Sequence, residues 1–335
     1  MTDSVFVTGG TGFLGRHLIP RLCRKGYAVH ILTRHADAHP WLANYPNLQI
    51  VQGDINDADA VRKGVQGCRY VIHAAGFFRF WGDDDAFERT NVAGTRHLLE
   101  AVRGSSVERI VHISSIAVIG DPEPSRVIDE THPPHPVDIY QKTKLQAETL
   151  ALSACQHGEA PVIVLRPGAF YGELGSYAFN RLFFRDPMRG LIMQINGGRL
   201  ITFPAYVPDV ADAIIAAFNR GTLGEIYNIC DDPLTHKQVF DVVTREAKLW
   251  FPRFPLPGWL GVFSARVLTA MSKITQREPF YPLNMRSYVY NDWRVSNEKA
   301  RRELAFVPTP FEEGARRTIA WYRAGQPELI PGVEC

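Results

Sequence analysis

Val5-Phe6-Val7-Thr8-Gly9-Gly10-Thr11-Gly12-Phe13-Leu14-Gly15 is a short apolar run that breaks into glycines and resumes as a helical pattern. Val5, Phe6 and Val7 are strand formers and Thr8 ends the run. Gly10, Gly12 and Gly15 fit G-x-G-x-x-G, with Gly9 adding freedom at the turn. A side chain at Gly10 or Gly12 would block the turn or hold a pyrophosphate off the backbone, and one at Gly15 would push the helix off the sheet. An anion would sit on the unpaired N–H groups of the helix start, where the macrodipole favours negative charge. The spacing predicts a helix over 13–25 with Leu14, Leu18 and Leu22 on one stripe, a stop at Gly26 and a second strand over 28–32.

Further apolar runs at 48–52, 70–73, 109–113 and 162–165 alternate with helical patterns near 58–65, 85–103 and 138–156. Strands alternating with helices predict an α/β fold, a doubly wound parallel (Rossmann) sheet covered on both faces. After Arg166-Pro167-Gly168 the pattern turns irregular and aromatic. The expected organisation is a dinucleotide-binding domain over 1–170, with a return segment near 204–230 that includes a strand at 226–229. A smaller, interleaved substrate lobe over 171–335 carries an apolar helix near 261–272 and a last helix near 311–324.

At 335 residues, 45% hydrophobic and 21% charged, the composition is that of a globular enzyme. A net charge of +2 with mixed signs offers no basic block for nucleic acid. The five cysteines (Cys23, Cys68, Cys155, Cys230 and Cys335) are scattered without a C-x-x-C pair, as in a reducing compartment. A strand beginning by Ser4 leaves no room for a signal peptide, and no apolar run is long enough to span a bilayer. A cytoplasmic protein is expected, with contact to a membrane surface left open and no metal called for.

Several strand ends carry candidate chemistry. Thr33-Arg34 follows the second strand, where an arginine can pair with the 2′-phosphate of NADP; His35 is an equally good partner, and a plain surface arginine is the alternative. Asp54, before Ile55, could accept from an adenine amino group or cap the next helix. His73-Ala74-Ala75-Gly76 ends the fourth strand with small residues that let the backbone pass close to a cofactor. Ser114-Ser115 ends the fifth, and Tyr140 and Lys144 share a helix face beyond it. A phenol with a pKa near 10 is a poor base, but a neighbouring ammonium brings it towards the working range. Lys144 would supply that charge and bond a nicotinamide ribose, while Ser115 holds the substrate oxygen.

Thr8 to Gly15, Asp54, His73-Ala74-Ala75, Asn91-Val92-Ala93-Gly94-Thr95, Ser115, Tyr140 with Lys144, and Arg166-Pro167-Gly168 together resemble the extended short-chain dehydrogenase/reductases. The resemblance implies Tyr140 as acid/base, Lys144 as ribose-binding helper and Ser115 as orienting hydroxyl. It implies a dinucleotide site of Gly9, Thr11, Gly12, Phe13, Leu14 and Gly15, with Arg34, Asp54, Ile55, Ala74, Ala75, Gly76, Asn91, Ser114, Pro167 and Gly168 around it. It also implies a homodimer through the helices near 85–103 and 138–156. Thr33-Arg34 looks like the dihydroflavonol reductase branch, whereas Arg277-Glu278-Pro279 and 296–300 look like the 3β-hydroxysteroid dehydrogenase and hopanoid-associated epimerase branches. Two departures count against a nucleotide sugar: Thr202-Phe203-Pro204 stands where an Arg-Asp would grip a diphosphate, and Ile116 follows Ser115 in place of an acidic pair.

Phe77-Phe78-Arg79-Phe80-Trp81 follows the fourth strand on the ligand-binding edge of the sheet. With Phe170, Tyr171, Tyr177 and Phe179 these rings could line an apolar pocket, or equally pack an interface between lobes. The segment 250–271, with Trp250, Phe251, Phe254, Trp259, Leu260 and Phe263, could be a lid or a surface resting on lipid; an ordinary buried helix is the plainer reading. The expectation is an NADP-dependent oxidoreductase, with NAD as the alternative cofactor, acting on a ketone or secondary alcohol of a hydrophobic or cyclic small molecule. A sugar epimerase and a non-catalytic redox sensor are the rivals.

Overall fold

In the computed structural model, which describes residues 3–81, 83–122, 127–250, 254–275, 278–279 and 286–329, β1 (Ser4–Thr8) sends Val5 and Val7 to one face and Phe6 to the other. It is flanked by β2 (Ala28–Thr33), β3 (Leu48–Gln52), β4 (Tyr70–His73), β5 (Arg109–Ile113), β6 (Val162–Pro167) and β7 (Ile226–Ile229). The seven strands form one sheet in the order β7-β6-β5-β4-β1-β2-β3, every pairing parallel. Val7 lies between Ile31 and Ile72, so the central strand is apolar on both faces, as a doubly covered parallel sheet requires.

On one face lie α1 (Phe13–Arg24) and, later in the chain, α5 (Val207–Arg220); on the other lie α2 (Ala58–Val65), α3 (Gly94–Val102) and α4 (Ile139–Gln156). The α1 stripe includes Leu14, Leu18 and Leu22 as expected, joined by Ile19 and Cys23, and all five are buried. Each buried leucine contributes roughly 1.5–3 kcal/mol. An Arg21–Asp212 ion pair of 3.1 Å ties α1 to α5.

The stretch expected as one helix over 85–103 is broken. Asp84–Phe87 forms a short turn capped by Asp83, Glu88–Ala93 is a π-helical turn, and α3 follows. The wider turn carries Asn91, whose side chain bonds outside the helix, and a Cβ at Gly94 would stand 2.7 Å from Ile55 Cγ1. Sequence periodicity does not register one inserted residue of this kind.

The remaining chain adds α6 (His236–Glu246), α7 (Gly258–Thr275), α8 (Glu298–Leu304) and α9 (Phe311–Arg323). A capping box of Thr235 and Gln238 starts α6. Short parallel pairs join Ala169–Tyr171 to Pro204–Tyr206 and Met193–Ile195 to Phe254–Leu256. A separate apolar cluster gathers Tyr171, Phe179, Phe184, Phe240, Phe311 and Ile319. The buried-helix reading of the 261–272 segment does not hold: Ala265 and Ser272 on one side of α7 are buried, but Trp259 and Phe263 are exposed. Trp250 is exposed as well, and Phe251, Arg277 and Cys335 lie outside the described residues. Cys23, Cys68, Cys155 and Cys230 form no disulfide. Among the described residues no helix is long and apolar enough to cross a membrane.

Candidate active site

The glycine turn between β1 and α1 is fixed by two close approaches. Gly9 has φ +73°, and a Cβ there would come within 2.5 Å of Ala74 O and 2.6 Å of Ala75 N at the end of β4. The left-handed residue of the turn is thus Gly9, not one of the three motif glycines. A Cβ at Gly15 would stand 2.2 Å from Gly10 O, so Gly15 lets α1 close onto its own loop rather than onto the sheet. At Gly12 a Cβ would meet only Gly9 O, at 3.3 Å. Gly12 begins α1 without a side-chain cap, and the first turn, which carries Phe13 and Leu14, has no acidic residue. With Thr11 half-buried and Gly12 exposed beside it, the loop offers free backbone donors and clear space, which suits the pyrophosphate of a dinucleotide.

At the end of β2, Arg34 is exposed and its Nη1 lies 3.6 Å from Asp54 Oδ2. Asp54 does not cap the next helix: Oδ1 accepts from Asn56 N and Nδ2 at 2.9 and 2.8 Å, and Asp57 caps α2 instead. Ile55 is buried against Gly94. An exposed guanidinium here could pair with a phosphate at the modest cost of a surface ion pair.

The end of β4 is locked by hydrogen bonds whose directions can be read. Ala75 N donates to Thr8 Oγ1 (3.2 Å), and because the one proton of the neutral ring sits on Nε2, the Thr8 hydroxyl donates to His73 Nδ1 (2.8 Å). Thr95 donates to Asn91 O (2.7 Å), so its oxygen accepts from His73 Nε2 at 2.9 Å. Burial pushes His73 down to about 3, and its ring is neutral. Asn91 is committed to protein: its Oδ1 accepts from Phe77 N (2.8 Å), and its Nδ2 donates to Phe77 O (3.2 Å) and Thr143 Oγ1 (3.1 Å). It brackets the loop after Gly76 to α4.

Asp138 caps α4 by accepting from Gln141 N at 2.9 Å, which sets Tyr140 and Lys144 on the face towards β5. Ser115 caps the short turn Ile116–Ile119 by accepting from Ala117 N at 3.1 Å, and its side chain lies near enough to the Tyr140 phenol to act on its acidity. Burial pushes the Tyr140 phenol up to about 12, with the Ser115 hydroxyl pulling the other way. The downward pull expected from Lys144 comes instead from Ser115. The Lys144 ammonium donates to Ile113 O at 2.6 Å; burial lowers it to about 8, and Glu148 opposes that. A Cβ at Gly76 would lie 3.9 Å from Lys144 Nζ, so the ammonium faces the β4 loop.

Ser114 points away from this cleft. Its Oγ donates to Glu148 Oε2 at 2.6 Å, and Glu148 takes Arg166 Nε at 3.0 Å and Nη2 at 2.5 Å, with both charged side chains at most 3% exposed. This buried network, missed in the sequence, joins β5, α4 and β6. Its only sequence signal is the helical spacing that puts Glu148 one turn after Lys144. Pro167 is buried at the end of β6, and a Cβ at Gly168 would stand 2.3 Å from Phe203 O.

The aromatic run divides. Phe78 meets the Tyr140 ring edge-on at 4.6 Å and also touches Phe80 and Tyr177. Phe80 N donates to the Tyr177 hydroxyl at 3.0 Å, which donates to Glu278 at 2.5 Å. Tyr288 completes the group, 6.5 Å from Tyr140. Phe77 packs on Phe87, and Trp81 is half-buried at the loop end. Tyr171 and Phe179 are not pocket residues: both are buried in the separate aromatic cluster, where their rings touch each other and Phe311. Phe170 lies edge-on to Phe13 at 6.3 Å, beside the glycine turn.

Comparisons with known proteins give the family and the fold. The family model of the NAD dependent epimerase/dehydratase family matches residues 5–230. A 4-hydroxy-2-methyl-3-oxo-4-farnesyl-3,4-dihydroquinoline-1-oxide ketoreductase of Stigmatella aurantiaca is 30% identical over 90% of this chain and 91% of its own. A ceramide reductase of Caulobacter vibrioides is 27% identical over 96% of this chain and 94% of its own. The UDP-glucuronic acid 4-epimerase of Bacillus cereus, solved with NAD, superposes with a TM-score of 0.78 at 20% identity over 97% of this chain and 100% of that one, a likeness of fold alone. From its glycine turn to the strand at Ile226–Ile229, the chain belongs to the NAD dependent epimerase/dehydratase family.

Proposed function

We propose that this enzyme is an NADP-dependent oxidoreductase that reduces a ketone, or oxidises the matching secondary alcohol, on a hydrophobic or cyclic small molecule. The observation that carries the reading is the placing of Ser115, Tyr140 and Lys144 together at the end of β5, with Phe78 edge-on to the Tyr140 ring and Phe80, Tyr177 and Tyr288 around it. When bound, NADP supplies or takes up the hydride at the reacting carbon. Gly9, Gly12 and the start of α1 would hold its pyrophosphate, Arg34 its 2′-phosphate and Lys144 its nicotinamide ribose. Ser115 orients the substrate oxygen, and Tyr140 gives that oxygen a proton in the reducing direction. A phenol kept protonated by burial is suited to donate, which favours reduction.

The rings supply apolar surface and few polar partners, which suits a hydrophobic substrate better than a sugar. Phe203 adds support against the epimerase reading. It is buried and stacked on Trp293 at 4.7 Å, in the segment where a diphosphate-gripping arginine would be expected. Consumption of NADPH in proportion to product, over a panel of aromatic, steroid-like and aliphatic ketones, tests the proposal. Conversion with no net change at the nicotinamide absorbance band would replace it with an isomerase. Tyr140→Phe is expected to lower turnover by roughly 10²–10⁴-fold with NADPH affinity nearly unchanged, and normal turnover would rule out the role given to the phenol.

A further inference from the structure

Trp259, Phe263, Val267, Met271 and Ile274 recur every three or four residues along α7 and so form one stripe. All five are exposed, Trp259 by 72% and Ile274 by 86%. A helix that turns a continuous apolar stripe to the outside marks a contact surface. The opposite side of the same helix belongs to the candidate site. Ala265 and Leu268 pack with Phe80, Ile195 and Val289, in the cluster that also holds Phe78, Tyr177 and Tyr288. One helix therefore separates the rings around Tyr140 from the outer surface.

Charge selects among possible occupants. The 18 residues of α7 include Arg266 and Lys273 and no aspartate or glutamate, and Arg266 is exposed between Phe263 and Val267. A second copy seated on the stripe would bring Arg266 against its own mate with no carboxylate on either helix to pair them. Anionic headgroups supply the missing countercharge, while the aromatic and aliphatic side chains enter the acyl boundary. The helix does not qualify as a membrane span.

We propose that α7 is a docking helix that lies flat in the interface of an anionic lipid bilayer and seats the aromatic end of the Tyr140 site on it. Docking itself does not depend on the reaction assigned above. The corollary that a lipid-soluble substrate enters from the bilayer rests on that reading.

Sedimentation of the full chain with vesicles of phosphatidylcholine alone, and of phosphatidylcholine mixed with phosphatidylglycerol, tests the proposal. The chain is expected to sediment with the mixed vesicles, to show a blue shift of tryptophan emission there, and to be released by high salt. The double variant Trp259→Glu/Phe263→Glu is expected to bind at least about tenfold less. Its melting temperature and NADPH affinity should match the parent's, since both side chains point away from the site. Recovery of the parent in the supernatant with mixed vesicles would overturn the proposal, as would equal binding by the double variant. A parent that is dimeric without binding vesicles, paired with a monomeric double variant, would assign the stripe to a second copy. Vesicle binding without NADPH consumption by any ketone would defeat the enzymatic reading and leave docking standing; the reverse result would do the opposite.

Discussion

Replacing Glu148 by glutamine probes both the fold and the candidate site. The Glu148 carboxylate takes two bonds from Arg166, at 2.5 and 3.0 Å, and one from Ser114 at 2.6 Å, with the two charged side chains at most 3% exposed. The amide keeps the shape but leaves the guanidinium buried without its counter-ion. Breaking a pair of this kind costs about 3–5 kcal/mol, a large share of the roughly 5–15 kcal/mol that holds a domain folded. Replacing both partners by methionine removes the stranded charge, so the double variant should be more stable than the single one. A second effect has the opposite reach. Glu148 holds up the Lys144 ammonium, which burial lowers to about 8, so loss of the carboxylate lets Lys144 deprotonate at lower pH. The alkaline limb of NADPH binding and of turnover should then move to lower pH. Urea unfolding followed by circular dichroism reads the first effect, and NADPH titrations across pH 6–9 read the second. A single variant within about 0.5 kcal/mol of the parent would refute the energetic reasoning, and an unmoved alkaline limb would refute the link to Lys144.

Gly9→Ala and Gly12→Ala should part company: the first forces φ +73° and an approach to Ala74 O, costing about 1–3 kcal/mol of stability. The second should fold normally and lose cofactor affinity, so equal stability losses in denaturant would count against the roles given to the two glycines. Arg34→Ala should weaken NADP binding roughly tenfold to hundredfold and leave NAD nearly unchanged. Equal losses by fluorescence titration would remove the case for the 2′-phosphate. Burial depresses His17 and His236 to about 4 and His73 to about 3, all below the unfolded value of 6.5. Their neutral forms cost nothing above pH 6.5; as pH falls below it the unfolded chain binds protons first, and stability drops by about 1.4 kcal/mol per pH unit for each histidine. Urea midpoints should fall steeply between pH 6.5 and 5, less so in His17→Gln, and a flat profile would contradict the assignment.

The seven strands were legible because a parallel sheet buried on both faces needs unbroken apolar runs, and the runs at 48–52, 70–73, 109–113 and 226–229 coincide with the observed strands. The glycine turn was legible for the same kind of reason, since few backbones tolerate so many missing side chains. What stayed hidden depends on partners far apart in the chain. Asn91, expected beside a cofactor, is spent on Phe77 and Thr143, 14 and 52 positions away. The spacing of Glu148 one turn after Lys144 says nothing of Arg166 or Ser114, and Tyr171 cannot be told from Phe78 until the chain is folded. The exposure of α7 was invisible because an apolar helix reads alike whether its stripe faces a core or the outside.

The chain of bonds from Ala75 through Thr8, His73 and Thr95 to Asn91 runs in a single sense, each hydroxyl or ring nitrogen passing its hydrogen onward. His73 takes part through the difference between its two nitrogens, one giving and one receiving, and a second proton on the ring would remove the acceptor that the Thr8 hydroxyl uses. A phenylalanine could fill the volume but connect nothing, and a lysine could give but not receive. The residue most often associated with proton traffic serves here as a rivet between the nucleotide turn and the helix that supports the loop after Gly76.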